Sequence, residues 1–170
     1  MVLVEFEGKK PFVHPSSYVA SSAILIGDVR VKENASVWFN SVLRADESSI
    51  EIGENAAILE GVIIKPESSS CVVGNKSVVG KGSILEGVII EEGVVVGAGS
   101  ILLENARIGR GSFIAAGSLI PQHMVVPENS LVMGNPAKVV GEIKPQHRKY
   151  AEESWRKFLI LKDSYKMMSL

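Results

Sequence analysis

Only one cysteine, Cys71, occurs among the 170 residues. Without a second thiol no internal disulfide can form, so the fold must hold by packing alone, and Cys71 reads as a small apolar filler in a strand. Aromatic residues are scarce at 6%, and the three histidines, His14, His123 and His147, include no pair at metal-ligand spacing. Neither sign of charge is in excess. The formal net charge of -1 leaves no basic field for a nucleic acid to bind. No apolar run approaches the ~20 residues that span a bilayer, and the start MVLVEFEGKK lacks the basic and apolar segments of a signal peptide. These absences lead to an expectation of a cytoplasmic protein with no nucleic-acid partner and no membrane association.

What is abundant is Val, Ile, Leu and Ala, arranged on a six-residue beat. Val2, Val4 and Phe6 alternate as an opening strand, followed by a loop punctuated by Gly8, Pro11 and Pro15. From Val19 the aliphatic positions are 19, 25, 31, 37 and 43, and four residues after the first four come small or short side chains: Ala23, Val29, Ala35 and Ser41. The phase slips across Arg44 to Ser49, resumes at Ile52, Ile58 and Ile64, slips again across Pro66 to Ser70, and returns at Val73, Val79 and Leu85. It then runs Ile90, Val96, Leu102, Ile108, Ile114 and Ile120.

Neither a helix nor a hairpin sheet has a period of six, whereas a triangular coil does: each side turns one aliphatic inward, and three sides give about 18 residues per coil. The sequence therefore predicts an all-β solenoid, a parallel β-helix of hexapeptide repeats over residues 1–144, whose coils bury their faces by stacking. The two slips read as loops leaving the coil. Gly53, Gly74, Gly80, Gly97 and Gly109 directly follow inward aliphatics and read as easing the turns. After Ile120 the prolines and glycines of PQHMVVPENSLVMGNPAKVVGEI read as the end of the coil and an extended segment. Pro145 then opens a helix over 145–170 with Phe158, Leu161, Tyr165 and Met168 in one stripe, bordered by Trp155 and Leu159. Its Lys and Arg residues read as a solvated face.

Three stretches, SVWFNSVLRAD at 36–46, IAAGSLIP at 114–121 and LVMGNPAKVV at 131–140, resemble the γ-class carbonic anhydrase family, left-handed β-helix proteins also catalogued with hexapeptide acyltransferases or as ferripyochelin-binding proteins. The resemblance covers nearly the whole chain, and it implies the left hand of the helix and a homotrimer. It also implies a zinc ion at each subunit interface, held by three histidines, two from one chain and one from its neighbour, whose bound water attacks carbon dioxide. Here those positions are Lys65 in EGVIIKP and Lys81 and Glu86 in VGKGSILEG. A lysine must lose its proton to coordinate a metal, which is costly at neutral pH. No metal or other cofactor is therefore expected. Lys65, Lys81 and Glu86 are expected instead to form an intersubunit ion cluster or to hold a small anion. Arg44 and Asp46 match a family interface ion pair. Ala57 and Leu59 replace polar residues near the site, Glu60 stands where Asp is usual, and Phe158 replaces a tyrosine.

Three functions follow as expectations: a trimer without carbonic anhydrase activity serving a structural or interaction role; an acyltransferase, for which His123 is the nearest general base; or a small-ligand binder. Nothing in the residues argues for a siderophore.

Overall fold

The computed structural model describes residues 1–168, so the last two residues of the expected helix lie outside it. The chain winds as a left-handed parallel β-helix of triangular cross-section, and one helix, Pro145–Met167, lies along its side. The six-residue beat is the interior: Leu25, Val31, Val37, Leu43, Ile58, Ile64, Val79, Leu85, Leu102 and Ile114 are fully buried. The serines four residues later are buried as well, and they do more than fit a tight space. Ser77 donates to the Glu91 carbonyl, Ser112 to the Pro127 carbonyl and Ser41 to the Leu59 carbonyl, satisfying acceptors at the corners.

Most corners turn on the third residue after an inward aliphatic. That residue has left-handed backbone and is mostly Asn or Gly, such as Asn34 at φ 57°, Asn55 at 58° and Gly99 at 67°. The glycines that directly follow the aliphatics have another reason. At Gly80 an added Cβ would stand 2.5 Å from the Ala98 backbone nitrogen, and at Gly109 it would stand 2.6 Å from that of Glu128. They permit close approach of the next coil rather than unusual torsions.

The prism has three faces. Face one stacks strands that include Val42–Leu43, Ile63–Ile64, Ile84–Leu85, Ile101–Leu102 and Leu119–Ile120. Face two stacks Arg30–Val31, Glu51–Ile52, Val72–Val73, Ile89–Ile90, Arg107–Ile108 and Val125–Val126. Face three stacks Tyr18–Val19, Ser36–Val37, Ala57–Ile58, Val78–Val79, Val95–Val96, Phe113–Ile114 and Leu131–Val132.

Four expectations need correction. Arg44 to Ser49 do not leave the coil as a loop: they belong to the strand Val42–Ile52, which runs from face one around a corner to face two. Gly27 pairs with Ala45 but Val29 with Ile50, so the slip is an insertion of three residues absorbed in a bulge. Nor does the solenoid end at Ile120. Val126 and Val132 keep the beat, are buried, and pair in parallel with the coil below. In the coils below, the residue after each inward aliphatic donates its N–H upward, as Gly109 does to Val126. Pro121 and Pro127 occupy this position where no coil follows, so their missing N–H costs nothing. The strands Ser130–Gly134 and Ala137–Glu142 then close this end as an antiparallel hairpin. At the other end Val2–Val4 pairs only with Ile24–Ile26, and all three of its residues are exposed.

The other two corrections concern the helix. Phe158, Leu161 and Tyr165 pack against the core, but Met168 is 62% exposed just past the helix end and is not part of the stripe. Lys162 is 2% exposed and stands within the stripe, its ammonium 2.5 Å from the Asp163 carboxylate, so the basic residues of the helix are not all on a solvated face. Beneath the helix, Trp38 meets Tyr18 at 5.3 Å, Tyr165 at 5.2 Å and Phe158 at 5.6 Å between ring centroids. The scarce aromatics are spent on seating the helix on face three.

Candidate functional site

Lys65 and Glu86 follow consecutive rungs of face one. Leu43, Ile64 and Leu85 are in register, so Arg44, Lys65 and Glu86 stand one above another at the corner between faces one and two. Lys81 stands at the opposite edge of face one, on the corner shared with face three, between strands Val78–Val79 and Ile84–Leu85. Consecutive coils of one chain stack Lys65 and Glu86 at one corner, while Lys81 stands at another.

The contacts at this corner are local. The Lys65 ammonium donates to Glu47 at 2.7 Å and to Glu67 at 3.4 Å, and the hydrogen bond to Glu47 raises its pKa above the ordinary lysine value. Neither glutamate stood out in the sequence. Both lie where the phase slips, at Arg44 to Ser49 and Pro66 to Ser70, and the bulged strand and the loop occupy the same corner of adjacent coils. Glu86 accepts the Glu104 backbone N–H at 3.2 Å. Glu104 in turn accepts the N–H groups of Ser68 and Ser69, which pins the 66–70 loop, and hydrogen bonding from Ser68, its side chain first and its backbone next, lowers the Glu104 carboxyl below the usual range.

Arg44 and Asp46 form an ion pair within one chain, Nε to Oδ2 at 2.6 Å, and this hydrogen bond holds the Asp46 carboxyl below its usual pKa. Asp46 Oδ1 and Glu60 Oε2 are buried with no hydrogen-bond donor among the described residues. Glu60 lies one coil below Lys81 on the same corner. Ala57 and Leu59 are buried under the helix side of face three, and Phe158 packs on Trp38.

These residues do not fit zinc. Coordination needs a lone pair, and Lys65 is a protonated donor between two carboxylates whose charge holds its proton in place. Among the described residues no group of three His, Cys, Asp or Glu could hold a metal ion. The histidines serve elsewhere. His147 accepts the Lys144 N–H at the helix start, His14 bonds Ser16 at 2.8 Å, and His123 occupies a corner at φ 62°. Cys71 is fully buried, and burial pushes its thiol up to about 12.

Along nearly its full length the chain is similar to a carbonic anhydrase of Geobacillus kaustophilus (strain HTA426), with 33% identity over 168 residues, covering 98% of this chain and 92% of that one. The chain belongs to the γ-class carbonic anhydrase-like family of hexapeptide-repeat proteins. A crystal structure from Bacillus cereus that covers 98% of both chains matches with a TM-score of 0.97 at 33% identity. Residues 87–122 match the family described as bacterial transferase hexapeptide (six repeats). The chain spans about a third of the length of longer curated relatives: its match to γ carbonic anhydrase 1, mitochondrial, of Arabidopsis thaliana is 26% identical over 91 residues, 49% of this chain and 33% of that protein. Within the γ-class-like family, then, the corner where the resemblance implies histidines carries Lys65 and Glu86 instead. No helix among the described residues is long and apolar enough to cross a membrane.

Proposed function

We propose that this protein is a homotrimeric, cytoplasmic member of the γ-class carbonic anhydrase-like family that does not catalyse zinc-dependent hydration. Its role is structural or in interaction, with cationic side chains able to accept a small anion where the family places zinc. The observation that carries this reading is the charged state of Lys65, fixed by Glu47 and Glu67, at the position of the first ligand.

The outward residues of the three faces support the trimer. On face three Tyr18, Ser36, Ala57, Val78 and Val95 are buried beneath the helix. On face two charged Arg30, Glu51 and Arg107 interrupt the apolar Val72, Ile89 and Val125, so no continuous apolar ladder forms. Face one instead presents Val42, Ile63, Ile84, Ile101 and Leu119 in register, with Ile63 43% and Ile84 39% exposed and, among the described residues, no element laid over them. An aligned apolar ladder of this kind marks a surface that a partner covers. Three prisms turning face one toward a common axis would bring the Lys81 edge of one chain to the Lys65 and Glu86 edge of the next. The unpartnered oxygens of Asp46 and Glu60 favour donors arriving from such a neighbour.

The test is metal analysis of the purified protein together with sedimentation equilibrium and a carbon dioxide hydration assay. Zinc well below one per chain, a mass of three chains and hydration no faster than buffer are expected. Stoichiometric zinc with hydration activity would sink the reading.

The match to the transferase hexapeptide family favours acyl transfer as a second reading. His123 would be its base, yet its side chain has no hydrogen bond among the described residues to orient the imidazole. An acyl-CoA thermal-shift screen that stabilises the protein would promote this reading over the first.

A further inference from the structure

A groove of about 780 Å³ runs between the C-terminal helix and the outer surface of face three, within a single chain. Its origin is readable in the residues. On the helix, 150, 154 and 158 lie one turn apart on one side. Tyr150 packs on Phe113 with centroids 5.8 Å apart and Phe158 packs on Trp38, but the residue between them is only Ser154. Across from Ser154, the corner of the prism is built from Gly80, Gly97 and Ala115, which close approach of the coils keeps small. Two large side chains hold the helix off, and small ones on both walls leave the gap.

The floor is apolar, formed by Val78, Val95 and Phe113, and Phe158 forms one end. At the mouth stand Lys81 and Lys157. Five of the twelve lysines, Lys32, Lys65, Lys76, Lys149 and Lys162, lie within 4 Å of a carboxylate. Lys81 and Lys157 have none among the described residues, and Glu153, the acid on the same rim, is engaged by Lys149 at 3.8 Å. An apolar trough of ligand size with two uncompensated ammonium groups at its mouth is complementary to one kind of molecule.

We propose that this groove binds a carboxylate carried on a flexible apolar chain, its head between Lys81 and Lys157 and its chain along Val78, Val95 and Phe113. A bare anion such as bicarbonate would leave the floor unused, and a neutral alcohol would leave both charges unanswered. In the proposed trimer Lys81 would also border the neighbour's Lys65 and Glu86 edge, so the proposal rests on Lys81 keeping its ammonium at the groove, but it does not depend on the absence of zinc.

Isothermal titration of the full chain with octanoate tests it, with 1-octanol and bicarbonate as comparison titrants. Saturable binding at one octanoate per chain is expected, weakened roughly tenfold in Lys157→Ala, as loss of a charged hydrogen bond predicts. Binding should tighten a few-fold for each methylene added from butyrate upward. Ser154→Phe, checked for folding by circular dichroism, should fill the gap and abolish it, and Lys65→Ala should leave it unchanged. Absence of saturation, equal affinity for octanol, or unchanged affinity in Lys157→Ala overturns the proposal. Loss of octanoate binding in Lys65→Ala moves the ligand to the family's zinc position and overturns it as well. Zinc content measured on the same samples reports separately on the proposed function.

Discussion

Arg44 holds one oxygen of Asp46, and the other oxygen is buried without a donor, so the charge of this carboxylate depends heavily on a single neighbour. A carboxyl whose folded pKa is depressed stabilises the fold above the ordinary aspartate range of about 4, and that contribution is lost as pH falls through the depressed value. In Arg44→Ala the Asp46 carboxyl should titrate at higher pH, and the acid limb of the stability curve should move up with it. An NMR titration of the Asp46 side chain alongside acid unfolding measures both, and an unmoved carboxyl would refute the assignment. At this scale the sequence was informative about positions and poor about partners. The inward residues and the charged identity of Lys65 were legible from the beat and the motif. Glu47 and Glu67 were not, because their reach to Lys65 depends on the path of a three-residue bulge and of a loop one coil later. Lys76 and His123, which hold left-handed corners at φ 57° and 62°, also carried no signal, since neither residue type announces that conformation.

Coils and helix obey different rules at the level of elements. Gly109→Ala should cost about 1–3 kcal/mol, because its Cβ would meet the backbone of the next coil, which cannot yield without moving the ladder. Urea unfolding with an unchanged denaturant slope would give that value directly. For the helix, Lys162→Met should be neutral or raise stability by up to about 4 kcal/mol, because the buried ammonium must be desolvated and its partner Asp163 is largely exposed. A marked loss in calorimetry would mean that Lys162 is needed where it stands. The stripe of Phe158, Leu161 and Tyr165 was readable from helical spacing. Lys162 was hidden because its long apolar stem lets a charged residue occupy a buried position. The last coil was missed for the opposite reason: Pro121 and Pro127 look like terminators, and they are, but of the hydrogen-bond ladder rather than of the winding.

Over the whole molecule, the unequal cover of the three faces sets the behaviour in solution. Ile63→Glu places a carboxylate in the middle of the face-one ladder, and burying it against a neighbour would cost several kcal/mol. If the parent sediments as the proposed trimer, this variant should sediment as a monomer at the same concentration, with the β-sheet circular dichroism retained, and an unshifted mass would exclude face one as the contact. The six-residue beat marks inward positions only. The ladder beside them could be seen only once the bulge and the five-residue step from Leu85 to Ile90 were resolved, since these unequal coils decide which outward residues share a face.

The two ends of the winding are finished differently, and this gives the molecule a direction of unravelling. Prolines and an antiparallel hairpin close the C-terminal end, whereas Val2–Val4 is an exposed strand paired along one edge. In a stack where each rung is held mainly by its neighbours, fraying starts at the rung with one neighbour and moves inward. Amide hydrogen exchange should therefore be graded along the stack, fastest at Val2 to Val4, slower at Leu25, and slowest around Val79 and Val96 in the central coils. Equal protection of Val2 to Val4 and Val79 would mean that the stack opens as one cooperative unit instead.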